Sequence, residues 1–209
     1  MKTLRKCLIL QSMNIVEIIE IFALVTGVPY IILEVLQKNA MWYFGIATGL
    51  ACAYSFAVQD LWSNMALNLY YAVMSVWGLY QWRKDSLALK EDVSDAGVTV
   101  HLGRMNVGTA LWSAVIFIGG SASLVWLLRA LGGSSTWLDA ASAMMSVIAT
   151  YWLGRSIPYH WIIWIVADVI LVVMCFTQGQ YWLTALYVGY VAAAAYGLFH
   201  WLRNGKYVN

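Results

Sequence analysis

The sequence predicts an all-α membrane protein with seven transmembrane helices. Its 209 residues are 62% hydrophobic and 11% charged, whereas an ordinary soluble domain is about 25% charged. A soluble chain this apolar would expose large apolar patches and aggregate. A helix that spans a bilayer needs about 20 mostly apolar residues. Seven segments meet that requirement: 15–36, 41–58, 61–82, 107–131, 137–153, 159–176 and 181–201.

The segments outside these spans predict the topology. Residues 1–14 are predicted as an amino-terminal tail, 84–106 as a polar, solvated loop, and 204–209 as a carboxyl-terminal tail. Seven spans place the two termini on opposite sides of the membrane. Eight Lys and Arg residues lie on the side of the carboxyl terminus and four on the other. Because cytoplasmic loops are enriched in Lys and Arg, we expect the amino terminus outside and the carboxyl terminus in the cytoplasm.

An internal repeat is visible when the chain is shifted by 119 residues. Residues 42–82 then align with 161–201 without a gap, and nine of the 41 pairs are identical, where this composition would give about three by chance. The ends of the two segments match closely, from Gly78 to Trp82 and from Gly197 to Trp201. The sequence therefore contains two copies of one helical unit.

The repeat predicts a 3+1+3 arrangement like that of the SWEET transporters. Two three-helix repeats, 15–83 and 132–203, are joined by a linker helix at 107–131. Because the linker restores the direction of the chain, the two repeats enter the membrane from the same side. Parallel repeats are a transporter architecture in which the substrate lies near mid-membrane between the halves. This plan favours a protein that carries a small solute.

Polar groups inside the spans are candidate binding residues, because an ionisable or amide group there is expensive to keep. Eight candidates follow from the residues alone: Asp60, Asn64, Asn68, Asp139, Trp164, Asp168, Gln178 and Trp182. Structural alternatives remain open for several of them. Asn64, Asn68 and Asp168 also fit hydrogen bonds between helices. Asp60 and Asp139 also fit helix capping, and Trp42 and Trp82 fit anchors at the bilayer interface.

The two repeats diverge at bulky aromatic and polar positions. Gly45 and Gly49 correspond to Trp164 and Asp168, and Asn68 corresponds to Tyr187. This asymmetry indicates an asymmetric ligand. Aromatic side chains with a few amides and one acid suit a flat heteroaromatic ring with polar groups. A carboxylate near aromatic rings also favours a delocalised cation such as a pyridinium.

With these residues identified, the chain resembles the PnuC family of bacterial vitamin transporters, specifically its nicotinamide riboside type. The resemblance rests on Trp161-Ile-Ile-Trp164 followed by Asp168, on Gln178-Gly-Gln-Tyr-Trp182, and on the two Gly-Leu-aromatic-x-Trp helix ends. The run from Asn68 to Trp82 also resembles the third helix of the family. The resemblance covers nearly the whole chain after the first dozen residues.

The resemblance implies facilitated diffusion of nicotinamide riboside through the bacterial inner membrane, followed by phosphorylation by a separate cytoplasmic kinase. Thiamin and riboflavin are the substrates of related members and remain alternatives. The implied site has three sets of residues. Trp182, Trp164 and Phe56 stack on the nicotinamide. The carboxamide or the ribose hydroxyls bind to Asn64, Asn68 and Gln59. The ribose binds to Asp168 and Gln178.

Other classes of function fit the sequence less well. No HExxH or GxSxG motif occurs, and His101, His160 and His200 are isolated near helix ends, so an enzyme is not expected. No lysine lies in a predicted span to form a retinal Schiff base, and no GxxxxGK[ST] loop occurs for ATP. The scattered basic residues argue against nucleic acid. No cofactor or metal is expected; proton coupling and homo-oligomerisation remain open.

Overall fold

A computed structural model describes residues 2–92, 100–130, 137–177, 179 and 181–208. These residues contain seven α-helices and one two-stranded parallel sheet. The helices are α1 (Lys2–Val35), α2 (Ala40–Val58), α3 (Trp62–Asp92), α4 (Val107–Ala130), α5 (Trp137–Gly154), α6 (His160–Thr177) and α7 (Tyr181–Asn204). The strands are β1 (Val100–Leu102) and β2 (Gly205–Tyr207). The predicted number of helices, seven, is confirmed in these residues.

Four described helical segments are long and apolar enough to cross a bilayer. They are Ala40–Val58, Val107–Ala130, His160–Thr177 and Thr184–Asn204. Shorter apolar helical segments, Ile21–Val35 and Ala140–Gly154, lie within α1 and α5. The predicted span in α3 is less apolar because it carries Asn64 and Asn68.

Regular secondary structure extends beyond the predicted spans at three places. Residues 84–92 of the predicted polar loop continue α3, because Leu, Ala, Lys and Glu are good helix formers and no glycine interrupts them. Gln81 Nε2 also donates a hydrogen bond of 3.1 Å to Asp85 Oδ1 one turn later. The predicted tail is helical from Lys2, since no Gly or Pro precedes Gly27. Residues 205–207, predicted as tail, form β2.

The described chain divides into two compact units. The first ends at Tyr80 and the second begins at Gln81, so the boundary between them falls within α3. In the first unit, α1 packs on α2, and the hydroxyls of Thr26 and Thr48 lie 2.9 Å apart between them. Helices α2 and α3 approach closely at Gly49, where an added Cβ would lie 3.1 Å from the carbonyl oxygen of Asn68. In the second unit, α4, α5, α6 and α7 each pack on the next helix in the chain.

Each unit contains a tryptophan packed on a helix glycine. The Trp42 ring lies against Gly78 in the first unit, and Trp161 lies against Gly197 in the second. An added Cβ on Gly197 would lie 2.6 Å from Cζ2 of Trp161. Trp161 and Gly197 lie 119 positions after Trp42 and Gly78, so the same packing contact occurs inside each unit.

The predicted interface-anchor role of Trp42 and Trp82 was wrong. Both side chains are fully buried. Trp42 fills the space above Gly78, and Trp82 Nε1 donates a 3.0 Å hydrogen bond to the Leu153 carbonyl. The helix ends therefore use these rings to hold neighbouring segments together rather than to contact the headgroups.

Three helix-ending turns share one geometry. Lys38 N donates to Leu33 O at 2.8 Å and Gln37 N to Glu34 O at 3.0 Å, which is the Schellman pattern that closes α1. The same pair of bonds occurs 119 residues later at the end of α5, and again at the end of α2. The left-handed residues in these turns are Gln37, Ser156 and Asp60, with φ of 48°, 55° and 59°. The turn after α6 has Gly179 at φ 73°, 119 residues after Asp60.

A clasp in the second unit joins three distant segments, and we define it as β1, β2 and the turn between α5 and α6. Strand β1 pairs with β2, with His101 opposite Lys206. His101 Nδ1 lies 2.9 Å from Ser156 Oγ, and Gly103 N donates to Ser156 O at 3.0 Å. The chain after α3, the α5–α6 turn and the carboxyl terminus therefore lie at one end of this unit.

Burial sets the charge state of the clasp histidine. His101 is 2% exposed and contacts the edge of Trp82, with ring centroids 5.7 Å apart. Burial lowers the pKa of His101 from 6.5 to about 4. The imidazole is therefore neutral at physiological pH.

We expect Gly78→Ala and Gly197→Ala to destabilise the protein by roughly 1–3 kcal/mol, because the added methyl overlaps a buried tryptophan. Gly27→Ala and Gly119→Ala are the matched controls, since an added Cβ at either position meets nothing within 4 Å. Thermal unfolding in detergent measures the difference. Equal melting temperatures for the two pairs would contradict the packing contact.

We expect the protein to lose up to about 3 kcal/mol of stability as pH falls from 6.5 to about 4. Above pH 6.5 both states hold a neutral His101; below it the unfolded chain gains a proton that the folded clasp excludes. His101→Asn keeps an amide near the position of Nδ1 and removes the titration. Melting temperature against pH should therefore fall more steeply for the wild type than for the variant, and parallel curves would refute this account.

Candidate functional site

The first group of candidate residues surrounds the turn between α2 and α3. Phe56 is half-buried in α2, and its carbonyl accepts the 2.8 Å hydrogen bond from Leu61 N that closes the turn. Gln59 ends α2 and donates from Nε2 to the carbonyl and hydroxyl oxygens of Ser55 at 3.2 and 3.1 Å. Asp60 follows in the left-handed position, with its side chain exposed. The turn places an aromatic ring, an amide and a carboxylate within five residues.

Two amides extend this group along α3. Asn64 is exposed, and Asn68 is half-buried one turn further on. Asn68 Nδ2 donates a 2.9 Å hydrogen bond to the carbonyl oxygen of Asn64 within the same helix. In the described residues, the amide of Asn68 makes no hydrogen bond to another helix, so the bond orients the side chain and leaves Oδ1 available as an acceptor.

The second group lies on α6 and α7. Trp164 and Asp168 are half-buried and one turn apart on α6, in contrast to Trp161, which is buried against Gly197. Asp168 lies close enough to Tyr187 and Tyr190 of α7 to interact with both electrostatically. The two tyrosine rings are 5.9 Å apart and nearly perpendicular, at 80°. This group combines a carboxylate, an indole and two phenols.

The two groups occupy corresponding positions of the repeat but differ in chemistry. Gly49 and Asn68 in the first unit correspond to Asp168 and Tyr187 in the second. At Gly49 the helices pack closely, and an added Cβ would lie 3.1 Å from the carbonyl oxygen of Asn68, whereas Asp168 places a carboxylate beside α7. One copy therefore uses the position for close packing and the other for a charged group.

Charge is sparse around both groups. In the segments 39–82 and 156–202, Asp60 and Asp168 are the charged residues, and neither Lys nor Arg occurs. Among the described residues, no group of three or more His, Cys, Asp or Glu side chains is arranged to hold a metal ion. The arrangement can stack an aromatic ring, hydrogen-bond polar substituents and attract a positive charge.

Three predicted site residues have side chains outside the described part of the structure. Asp139 lies in the first turn of α5 and Trp182 in the first turn of α7, but only their backbones are described. Gln178 lies outside the described residues altogether.

Sequence reasoning did not select Tyr187 and Tyr190 as site residues. The repeat contained the signal, since Tyr187 and Tyr190 align with Asn68 and Tyr71. Because Tyr71 and Tyr190 are identical, that pair suggested a packing role. Asp168, which interacts with both tyrosines of α7, lies on a different helix, α6.

Apolar helices long enough to cross a bilayer, with a few polar side chains among them, are typical of a multi-pass membrane protein. The particular family follows from sequence comparison: a family model described as nicotinamide mononucleotide transporter matches residues 17–203, so the chain belongs to that family. The resemblance to PnuC proteins is thereby confirmed.

Individual relatives agree with the family. The chain is 21% identical to the nicotinamide riboside transporter PnuC of Escherichia coli (strain K12) over 210 residues, which cover 90% of this chain and 86% of that protein. It is 24% identical to the nicotinamide riboside transporter PnuC of Haemophilus influenzae over 186 residues, covering 88% and 79%.

A solved structure has a similar fold. The crystal structure of the vitamin B3 transporter PnuC matches with a TM-score of 0.64 and 20% identity, over 92% of this chain and 88% of that one. At this identity the match establishes the fold.

We expect Asp60→Gly to raise stability by up to about 1 kcal/mol, because glycine adopts a positive φ without the cost that Asp60 bears at 59°. Val58→Gly, two residues earlier in the last turn of α2, should lower stability by about 1 kcal/mol, since glycine is unfavourable within a helix. Thermal unfolding of both variants measures the contrast. A loss of stability in Asp60→Gly would show that its carboxylate contributes more than its backbone conformation costs.

Proposed function

We propose that this protein carries nicotinamide riboside into the cell through the cytoplasmic membrane by facilitated diffusion. The family match over residues 17–203 carries the proposal, together with curated relatives that bear the name nicotinamide riboside transporter. The chemistry of the candidate site agrees with that ligand. An aromatic ring with a carboxamide and a ribose needs stacking surfaces, amide partners and hydroxyl partners, which the two groups contain.

The absence of basic residues from both helical segments favours the nucleoside over the mononucleotide of the family's description. A phosphate carries about two negative charges and is recognised by Arg and Lys. Between residues 39 and 82, and between 156 and 202, the charges present are those of Asp60 and Asp168. These carboxylates repel a phosphate and tolerate a ribose that ends in a hydroxyl.

The ligand roles divide between the two groups of residues. Trp164, Trp182 and Phe56 stack on the nicotinamide ring. Asn64, Asn68 and Gln59 bind the carboxamide or the ribose hydroxyls. Gln178 and Asp168 act at the ribose end of the ligand, where the carboxylate of Asp168 also lies near the ring nitrogen that bears the ribose. Asp60 and Asp139 complete the set as acidic groups near the helix ends.

The internal repeat supports an alternating-access mechanism. Two parallel three-helix repeats joined by a linker helix form a 3+1+3 arrangement, with the ligand near mid-membrane between them. The equivalent Trp42–Gly78 and Trp161–Gly197 contacts support the repeat within each unit. Rocking of one repeat against the other then exposes the ligand to each side in turn, and phosphorylation by a cytoplasmic kinase prevents its return.

The clasp supports the proposed orientation. It brings the chain after α3, the α5–α6 turn and the carboxyl terminus to one end of the second unit. Arg104, Arg155 and Lys206 lie in these segments, and Arg83, Lys84 and Arg203 lie in the adjoining helices α3 and α7. Because Lys and Arg concentrate on the cytoplasmic side, this end faces the cytoplasm and the amino terminus lies outside.

Thiamin or riboflavin is the alternative substrate within the family, and proton coupling is the alternative energetics. Binding to the purified protein separates the substrates. We expect nicotinamide riboside to bind more tightly than thiamin or riboflavin in isothermal titration calorimetry. Tighter binding of thiamin or riboflavin would reassign the substrate while leaving the family intact.

We expect Trp164→Ala and Trp182→Ala each to weaken nicotinamide riboside binding roughly tenfold or more, because loss of one stacked aromatic surface costs about 1–3 kcal/mol. Asn68→Ala should weaken binding several-fold, about the value of one or two hydrogen bonds. Trp126→Ala is the control, since Trp126 is 72% exposed on α4. Unchanged affinity in the target variants, with folding intact, would assign those side chains to packing.

A further inference from the structure

The second unit carries a membrane-embedded acid to which no residue in the described part of the chain supplies a counter-charge. Asp168 is the ninth of the 18 residues of α6, and its side chain is half-buried. From the described part of the chain, neither an ion pair nor a hydrogen bond reaches its carboxylate; its described electrostatic neighbours are Tyr187 and Tyr190. The sequence offers no Lys or Arg between residues 156 and 202.

A lone carboxylate at this depth needs a positive partner. Acids within spans are costly, and they usually pair with one another, with backbone groups or with transported ions. A positively charged ligand removes this cost when it binds, whereas an uncharged ligand leaves the carboxylate unpaired in a site that has lost its water. Differential cost of this kind is how a site discriminates between two ligands of similar shape.

The neighbouring tyrosines add a preference for a flat, delocalised cation. Their rings lie 5.9 Å apart at 80°, so one presents its edge toward the other. Aromatic faces attract a cation that lies within about 6 Å. A hydrated metal ion or an ammonium needs several oxygen ligands, but a charged aromatic ring needs one counter-ion and apolar walls.

We propose that Asp168, positioned beside Tyr187 and Tyr190, makes the transporter selective for aromatic rings that carry a fixed positive charge on a substituted ring nitrogen. This inference rests on the proposed function and deepens it, because the nicotinamide ring of the riboside is a pyridinium cation. The reduced, dihydropyridine form has the same ribose and carboxamide but no charge, and it is selected against. Thiamin shares the fixed ring charge and riboflavin lacks it, so Asp168 disfavours riboflavin.

The test compares nicotinamide riboside with its 1,4-dihydro form on the purified full-length protein, with dissociation constants measured by calorimetry. We expect the wild type to prefer the charged form by roughly tenfold or more, the usual scale for a desolvated charge interaction. Asp168→Asn should lose that preference: affinity for the charged form falls roughly tenfold, while affinity for the dihydro form changes by less than about threefold.

Two further variants make the result specific to charge. Asp168→Glu keeps the carboxylate and should retain the preference for the charged ring. Asp85→Asn removes a buried acid near the end of α3, outside the site, where Gln81 already donates to the side chain. It should leave the preference unchanged. Retained binding of the dihydro form by Asp168→Asn also shows that this variant is folded.

The outcomes separate this inference from the proposed function. A wild type that binds both ring forms equally, or an Asp168→Asn variant that keeps the full preference, overturns the charge selection and leaves the riboside transporter intact. Equal loss of both ligands in Asp168→Asn also overturns it, because the residue would then act on the ribose or the fold. A wild type that binds neither ring form overturns the proposed function and this inference with it.

Discussion

The contact between a tryptophan ring and a helix glycine sets the geometry of each unit. In a bilayer the lipid chains are as apolar as leucine, so helices associate through close packing at small residues. Trp42 on Gly78 and Trp161 on Gly197 supply such a contact at the same place in both copies of the repeat. Trp161 also contacts His160 and Trp201, with centroids 4.7 and 5.8 Å away. The end of α6 that precedes the site is therefore held firmly.

This rigid end determines where the functional groups lie. Trp164 follows Trp161 by less than one turn of α6, and Asp168 follows Trp164 by one turn. The carboxylate therefore sits on a helix whose start is fixed by buried aromatic packing. In the first unit the corresponding position is Gly49, where an added Cβ would crowd the backbone of α3. One position of the repeat thus holds a glycine in the first unit and a carboxylate in the second.

The helices and the 119-residue offset were predictable because both are visible in the order of the residues, whereas the 3+1+3 arrangement of the repeats stays a prediction. Apolar length marks the spans, and the offset of 119 residues recurs in the turns, the left-handed residues and the Trp–Gly contacts. The turns themselves were not predicted, since Gln37, Asp60 and Ser156 occupy a conformation normally associated with glycine. The burial of His101 was also missed, because a short strand in a charged segment becomes buried only when it meets β2 and Ser156 from distant parts of the chain.

The candidate site was predictable in composition but not in grouping. Asn64, Asn68, Trp164 and Asp168 stood out as polar or bulky residues within apolar spans. The partnership of Asp168 with Tyr187 and Tyr190 depends on how α6 packs on α7, and tyrosine is common enough in this chain to hide it. Conversely, Trp42 and Trp82 resembled interface anchors. A tryptophan near a helix end can either anchor at the bilayer interface or pack in the core, and the exposed fraction of its side chain distinguishes the two.

Uptake of labelled nicotinamide riboside into liposomes that contain the purified protein tests the central claim most directly. The liposomes hold no ATP, the membrane potential is clamped at zero, and uptake is measured with and without a proton gradient. The account predicts uptake in both conditions until the inner and outer concentrations are equal, above the leak of empty liposomes. Uptake that requires the proton gradient would contradict facilitated diffusion, and the absence of uptake would contradict the assigned substrate.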